Sequence, residues 1–172
     1  MISDKYLGSV IYGGVDGIIT IFNIISGVEG AQLKYYVIFV LGISSLISDA
    51  VSMGFSDYLS LNAENKVNKT RNPEEKMDSR KSGLITFLSF ILFGLIPLLT
   101  YLFYSKYYND KKTNYIKTYI STMIALFLLG SFQSKYTGEI WYKSGTNVVG
   151  YGILASFISY QIGKILSSLV KK

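Results

Sequence analysis

Three aspartates, Asp16, Asp49 and Asp57, stand inside stretches otherwise made of apolar and small residues. An ionised carboxylate in hydrocarbon costs about 2.5 to 3.5 kcal/mol on insertion scales, so each of the three needs a partner or a task. Thr20 and Asn23 follow Asp16 at i+4 and i+7. At helical period this sets a carboxylate, a hydroxyl and an amide on one face. That stripe reads as the lining of a polar path; the plainer alternative is one buried aspartate satisfied by neighbouring hydroxyls. Asp49, Met53 and Asp57 are spaced by four, so a carboxylate, a thioether and a second carboxylate share one slowly winding stripe. Beside it run Ser44, Ser48, Ser52, Ser56 and Ser60, and the first segment has its own small-residue row in Ser9, Gly13 and Gly17. Small residues at that spacing admit a second helix, and helix packing is the reading favoured for most of them. A methionine in such a helix is ordinarily core unless carboxylates share its face.

Carboxylate oxygens with a thioether form a ligand set. Oxygen suits Mg, Mn and Ca, while sulfur moves the preference toward later ions, so the combination favours Fe(II) or Mn(II) over Mg or Zn. A metal bound there would displace protons from its ligands, which makes the same residues a proton/metal exchange site.

The composition says which solvent surrounds these residues. Of 172 residues, 49% are hydrophobic and 16% charged, against roughly a quarter charged in a soluble domain. Mean hydropathy is +0.32. Cysteine and histidine are both absent, which removes disulfides, thiolate metal sites and imidazole proton relays. The net charge of +6 comes from lysines and arginines at loop ends and termini, the placement typical of membrane proteins and not of a nucleic-acid surface. Nothing assembles the acid, base and nucleophile of a hydrolase, so an enzyme is not expected.

A spanning helix needs about 20 apolar residues. Residues 83–105 hold 23 positions without charge, 144–163 hold 20, and 118–134 hold 17. The expected architecture is an all-α integral membrane protein with five spans at about 7–28, 35–62, 83–105, 115–134 and 144–168. The first two form a helical hairpin, and a solvated polar loop occupies 63–82. Asp16 interrupts the apolar centre of the first segment, which therefore reads as a span and not as a signal peptide. Lysines and arginines divide nine to eight between the two sides. The densest group lies in 63–82 and favours a cytoplasmic N-terminus and loop. Trp141 and the tyrosines mark interfacial belts.

The segments GGVDGIITIFNIISGV (13–28) and LGISSLISDAVSMGFSDYLSLNAE (41–64) resemble the first two helices of the vacuolar iron transporter family. GLIPLLTYL (94–102), ALFLLGSFQSKYTG (125–138) and GYGILASFISYQIG (150–163) extend the resemblance over nearly the whole chain. It implies a five-helix homodimer with a cytoplasmic N-terminus that exports Fe(II), and often Mn(II), from the cytosol in exchange for protons, with no permanently bound cofactor. The host membrane is then vacuolar or another endomembrane, with the plasma membrane as the alternative. By motif position, Asp16 matches the metal-binding aspartate of helix one and Met53 the metal-binding methionine of helix two. Asp49 matches an acid frequent beside that methionine, and Glu64 the glutamate that in longer members joins a metal-collecting domain. Ser45 replaces a pathway acid found one turn before Asp49 in some members, so Asp49 is expected to supply that charge. The loop contributes only Glu64, Glu74, Glu75, Met77 and Asp78, which resembles the short, nodulin-like members that lack the metal-collecting domain. Against the transporter stands a membrane scaffold or accessory protein with the same fold and no transport, in which Asp16 and Met53 would be dispensable.

Overall fold

A computed structural model describes residues 4–67, 77–107 and 110–170. After a short 3-10 turn at Asp4–Tyr6 come five helices: α1 Leu7–Gly30, α2 Tyr35–Val67, α3 Ser79–Tyr107, α4 Lys111–Thr137 and α5 Trp141–Val170. All five are long and apolar enough to cross a membrane, so the expected five-span, all-helical architecture is present. The helices outrun the expected spans. α2 continues through Val67 and α3 starts at Ser79, because backbone hydrogen bonding carries a helix past the end of its apolar run into water. Lys69, Arg71, Glu74, Glu75 and Lys76 of the polar segment, and the terminal Lys171 and Lys172, lie outside the described residues.

Burial follows the logic of a lipid solvent. Leu92, Leu128, Phe157 and Leu169 face outward, while Ser9, Ser26, Ser82, Thr86, Thr118, Thr122 and Ser156 are buried. Where the outside is as apolar as leucine, helices associate through close van der Waals fit and interhelical hydrogen bonds. Buried hydroxyls that find no other helix bond within their own, as Thr122 does to the Thr118 carbonyl at 2.7 Å.

α1 is the central helix. Its main neighbours are α3 and α5, and α2 packs chiefly on α3. The connection at residues 31–34 does bring the chain back on itself, with Gln32 in a left-handed conformation (φ 56°). α3 nevertheless takes most of the contact that a simple α1–α2 hairpin would have made. The small residues explain why. Gly13 lies against the Thr86 backbone and Gly17 against the Phe90 backbone, so the Ser9, Gly13, Gly17 row is the groove into which α3 fits. Gly54 of α2 and Gly83 of α3 meet backbone to backbone in the same manner. The main apolar core joins α1, α2 and α3 through Ile21, Ile25, Ile38, Leu46, Phe90 and Leu98.

Two polar levels bound this bundle. At one, Ser9 of α1 shares a 2.7 Å hydrogen bond with Ser82 of α3. At the other, the buried Tyr101 hydroxyl of α3 donates to the Glu29 carboxylate of α1. They are 20 residues apart along α1, about 30 Å at 1.5 Å per residue, which is the thickness of a hydrocarbon core.

α4 begins at an N-cap, Asp110, whose carboxylate accepts from the backbone N–H of Lys112 at 3.2 Å and of Thr113 at 3.3 Å. The Thr113 hydroxyl, together with these amides and the nearby Lys112 charge, holds the Asp110 carboxyl below the ordinary carboxylate range. A depressed folded-state pKa contributes stability above the unfolded value, about 3.9, and loses it as pH falls through the folded value. Asp110→Ala should therefore unfold at lower temperature than the native chain at about pH 7, and the gap should close at about pH 2. Helical circular dichroism in detergent checks this, and a gap that persists in acid would mean the cap acts through something other than its charge.

Candidate metal path

Asp16 is half-buried on α1, about 10 Å inside the Ser9 level by helical rise. Asp49 is half-buried on α2, and the two carboxylates are near enough to interact as like charges. An acid at membrane depth needs a cation, a proton or hydrogen-bond donors to offset its charge. The Ser48 hydroxyl donates to Asp49 Oδ1 at 3.3 Å and lies 3.4 Å from the Ser45 carbonyl, also as a donor. Ser45 is half-buried one turn before Asp49, its hydroxyl standing where a further acid would add charge. Met53 lies one turn after Asp49, half-buried against the α1–α3 core.

Thr20 and Asn23 are half-buried on α1. The Asn23 side-chain Oδ1 is buried with no hydrogen-bond partner, while its backbone carbonyl accepts from Ser159 of α5 at 2.6 Å. An orphaned amide oxygen at this depth is costly, about 1 to 3 kcal/mol.

Asp57 and Glu64 belong elsewhere. Asp57 Oδ2 accepts from Ser82 at 2.6 Å and from Thr86 at 2.8 Å, and Ser82 in turn bonds Ser9. α2, α3 and α1 are thus joined through one carboxylate, a network the sequence indicated only faintly, by Ser82 and Thr86 at helical spacing. Glu64 is exposed near the end of α2, some 15 residues or about 22 Å beyond Asp49. Glu64 and Asp57 line a cavity of about 270 Å³ with Lys5, Ser9, Met77 and Ser82, at the end of the bundle that leads toward Asp16.

Of the small residues, Ser9, Gly13 and Gly17 are buried against α3. Ser48 and Ser52 are exposed; the small buried positions of α2 are Gly42, Ala50 and Gly54. Among the described residues no three acidic groups gather in one place. Asp16, Asp49 and Met53 are each half-buried, on α1 and α2.

The chain is 29% identical to the vacuolar iron transporter of Plasmodium falciparum, over 96% of its own length and 84% of the relative's. It is 27% identical to that of Plasmodium berghei, over 95% and 83%. Membrane protein of ER body 2 from Arabidopsis thaliana is 25% identical over 98% of this chain and 32% of the relative. The first alignment runs over 229 positions and the last over 180, so the Plasmodium protein carries internal residues absent from a chain of 172. The sequence model of the VIT family matches residues 7–81 and 68–164, two segments that overlap over 68–81, from the end of α2 into the start of α3. With five helices long and apolar enough to span a membrane and a family match over most of its length, the chain belongs to the VIT family.

Proposed function

We propose that this protein carries a divalent metal ion, Fe(II) or Mn(II), out of the cytosol in exchange for protons, working as a homodimer. The observation that carries the reading is the half-buried carboxylates of Asp16 on α1 and Asp49 on α2 inside spanning helices, with Met53 one turn on. Two carboxylates and a thioether fall short of the six ligands such ions take, and a second copy would double the set. The exposed Ser48 and Ser52 are small enough for close contact with that copy. Asn23 and Thr20 continue the polar stripe along α1. The cavity at Asp57 and Glu64 serves as the cytoplasmic mouth, with the N-terminus on the same side, and Glu64 with Met77 supplies there what remains of a metal-collecting function. A proton leaves each carboxylate as the metal arrives and returns when it departs, which is the coupling. Relatives that bear the name vacuolar iron transporter support the cargo and an endomembrane location.

The test is uptake into proteoliposomes of Fe(II), Mn(II), Zn(II) and Ca(II), with and without an imposed pH gradient. Gradient-driven accumulation of Fe(II) or Mn(II), with counterflow of protons, is the expected result. Equal uptake without a gradient would replace the antiporter by an uncoupled channel. No flux of any ion under any gradient would leave a membrane scaffold as the function.

A further inference from the structure

The cavity at the mouth ends at one level on all three helices that enclose it. Its deepest walls are Tyr12 on α1, Asp57 on α2 and Ser82 on α3. One turn farther in on each helix stand Asp16, Met53 and Thr86, and none of the three is among the walls. The open space therefore stops roughly 6 Å along each helix axis before the path reaches its carboxylate and thioether.

What closes it is a set of hydrogen bonds. Asp57 Oδ2 accepts from Ser82 at 2.6 Å and from Thr86 at 2.8 Å, and the Ser82 hydroxyl shares its 2.7 Å bond with Ser9. Ser9, Ser82 and Thr86 are all buried. Just behind them Gly13 lies against the Thr86 backbone, so α1 and α3 are in contact there, too close for a hydrated ion to pass between them. The closure also lies on the stripes that lead inward. Ser9 precedes Asp16 by seven residues, and Asp57 follows Met53 by four and Asp49 by eight, spacings that keep each set near one helix face. An ion entering from the mouth along either stripe meets the network before it meets Asp16.

The bonds are of a kind that a cation can exchange. A hydroxyl rotates about its C–O bond and can donate or accept, and in the Ser9 and Ser82 pair either atom can be the donor. A divalent ion attracts a carboxylate more strongly than two neutral hydroxyl dipoles do, the more so away from bulk water. Asp57 is both a wall of the cavity and the acceptor that ties α2 to α3.

On the transport reading above, on which this step rests, we propose that the Ser9, Asp57, Ser82 and Thr86 network is the mouth-side gate of the metal path, opened when an entering divalent cation draws the Asp57 carboxylate off its hydroxyl donors. The three helices then lose their cross-link at the level where the cavity now ends. Asp57 acts through the helices it holds, as a positioning residue, while Asp16 and Met53 meet the carried ion.

Because the chain has no cysteine of its own, introduced thiols report on the gate alone. Thr20→Cys sets one thiol a turn beyond Asp16, and its labelling by a membrane-impermeant thiosulfonate is followed in proteoliposomes without metal. Ser82→Ala, alone or with Thr86→Val, should speed that labelling about tenfold, the factor that one hydrogen bond to a carboxylate contributes to an opening equilibrium. Ser60→Cys, exposed on the cavity wall, should label at one rate in every background and so reports that each variant is folded. In Asp57→Asn a carbonyl oxygen still accepts from the hydroxyls but the charge that draws the ion is gone. Half-saturation of Mn(II) uptake should then move to about tenfold higher concentration while Thr20→Cys stays slow to label. The pair Ser9→Cys and Ser82→Cys should lock the gate when oxidised, stopping Mn(II) uptake, and release it on reduction. Unchanged labelling of Thr20→Cys in both hydroxyl variants, an unchanged half-saturation in Asp57→Asn, or equal flux through the oxidised and reduced pair would overturn the gate and leave the network a permanent tie. Labelling needs no transport, so the two readings fail separately. Flux in the native chain with none of these effects removes the gate; faster labelling with no flux in the native chain removes the transporter and keeps the network as the barrier to water.

Discussion

Asp16→Asn should reduce metal uptake into proteoliposomes about a hundredfold or more while leaving the protein folded and monodisperse. The substitution keeps the shape and one carbonyl oxygen but removes the charge that a divalent ion must meet once it has shed its water. On the proposed path, losing the charged ligand costs about 3 kcal/mol of binding, a factor above one hundred. Asparagine keeps the volume of the side chain and removes a charge that is costly at membrane depth, so the variant should be no less stable than the native chain, and thermal unfolding in detergent separates loss of function from loss of fold. Met53→Leu is the gentler companion: it preserves the packing of the thioether against the core and should change the ranking of Fe(II) and Mn(II) over Ca(II) more than the total flux, since sulfur contributes preference and not charge. Undiminished transport by Asp16→Asn would move the metal path away from α1.

The second large effect is on folding. In Gly17→Ala the new methyl group would press on the Phe90 backbone, its carbonyl oxygen included. Backbone cannot rotate aside as a side chain can, so α1 and α3 must separate along the row that also holds Gly13 against Thr86. Overpacking of this kind costs about 1 to 3 kcal/mol and more where the obstacle is rigid; about 3 kcal/mol is expected, read as a lowered unfolding temperature and loss of monodisperse protein. Gly150→Ala is the control. It lies inside α5 with nothing within 4 Å of the new atom, and replacing glycine in a helix interior should stabilise by about 0.5 to 1 kcal/mol. If both variants behaved alike, intrinsic helix propensity and not the α1–α3 approach would govern stability.

These two expectations draw on different levels of information. The five spans and their approximate places were legible in the chain alone, because the length of an apolar run and the charges that bound it are local quantities set by bilayer thickness. So was the sharing of a face by Asp16, Thr20 and Asn23, and by Asp49 and Met53, since a helix imposes its period on any sequence that forms it. The resemblance carried by the α1 and α2 motifs pointed to the VIT family for the same reason: those motifs are contiguous.

Partner choice was not local. Ser9, Gly13 and Gly17 announced a close neighbour without naming it, and the tertiary structure made that neighbour α3. In a membrane the apolar faces of all five helices are nearly equivalent toward lipid, so pairing turns on which backbones fit, a property of two segments taken together. Asp57 shows the consequence. By spacing it continued the Asp49 and Met53 stripe, yet its bonds go to Ser82 and Thr86 of α3, because 25 to 29 residues of chain return α3 to its side. Glu29 and Tyr101, 72 residues apart, could be joined only by the fold. The chain by itself determined which segments enter the membrane and which faces carry charge; packing of backbone against backbone decided which of those charges meet.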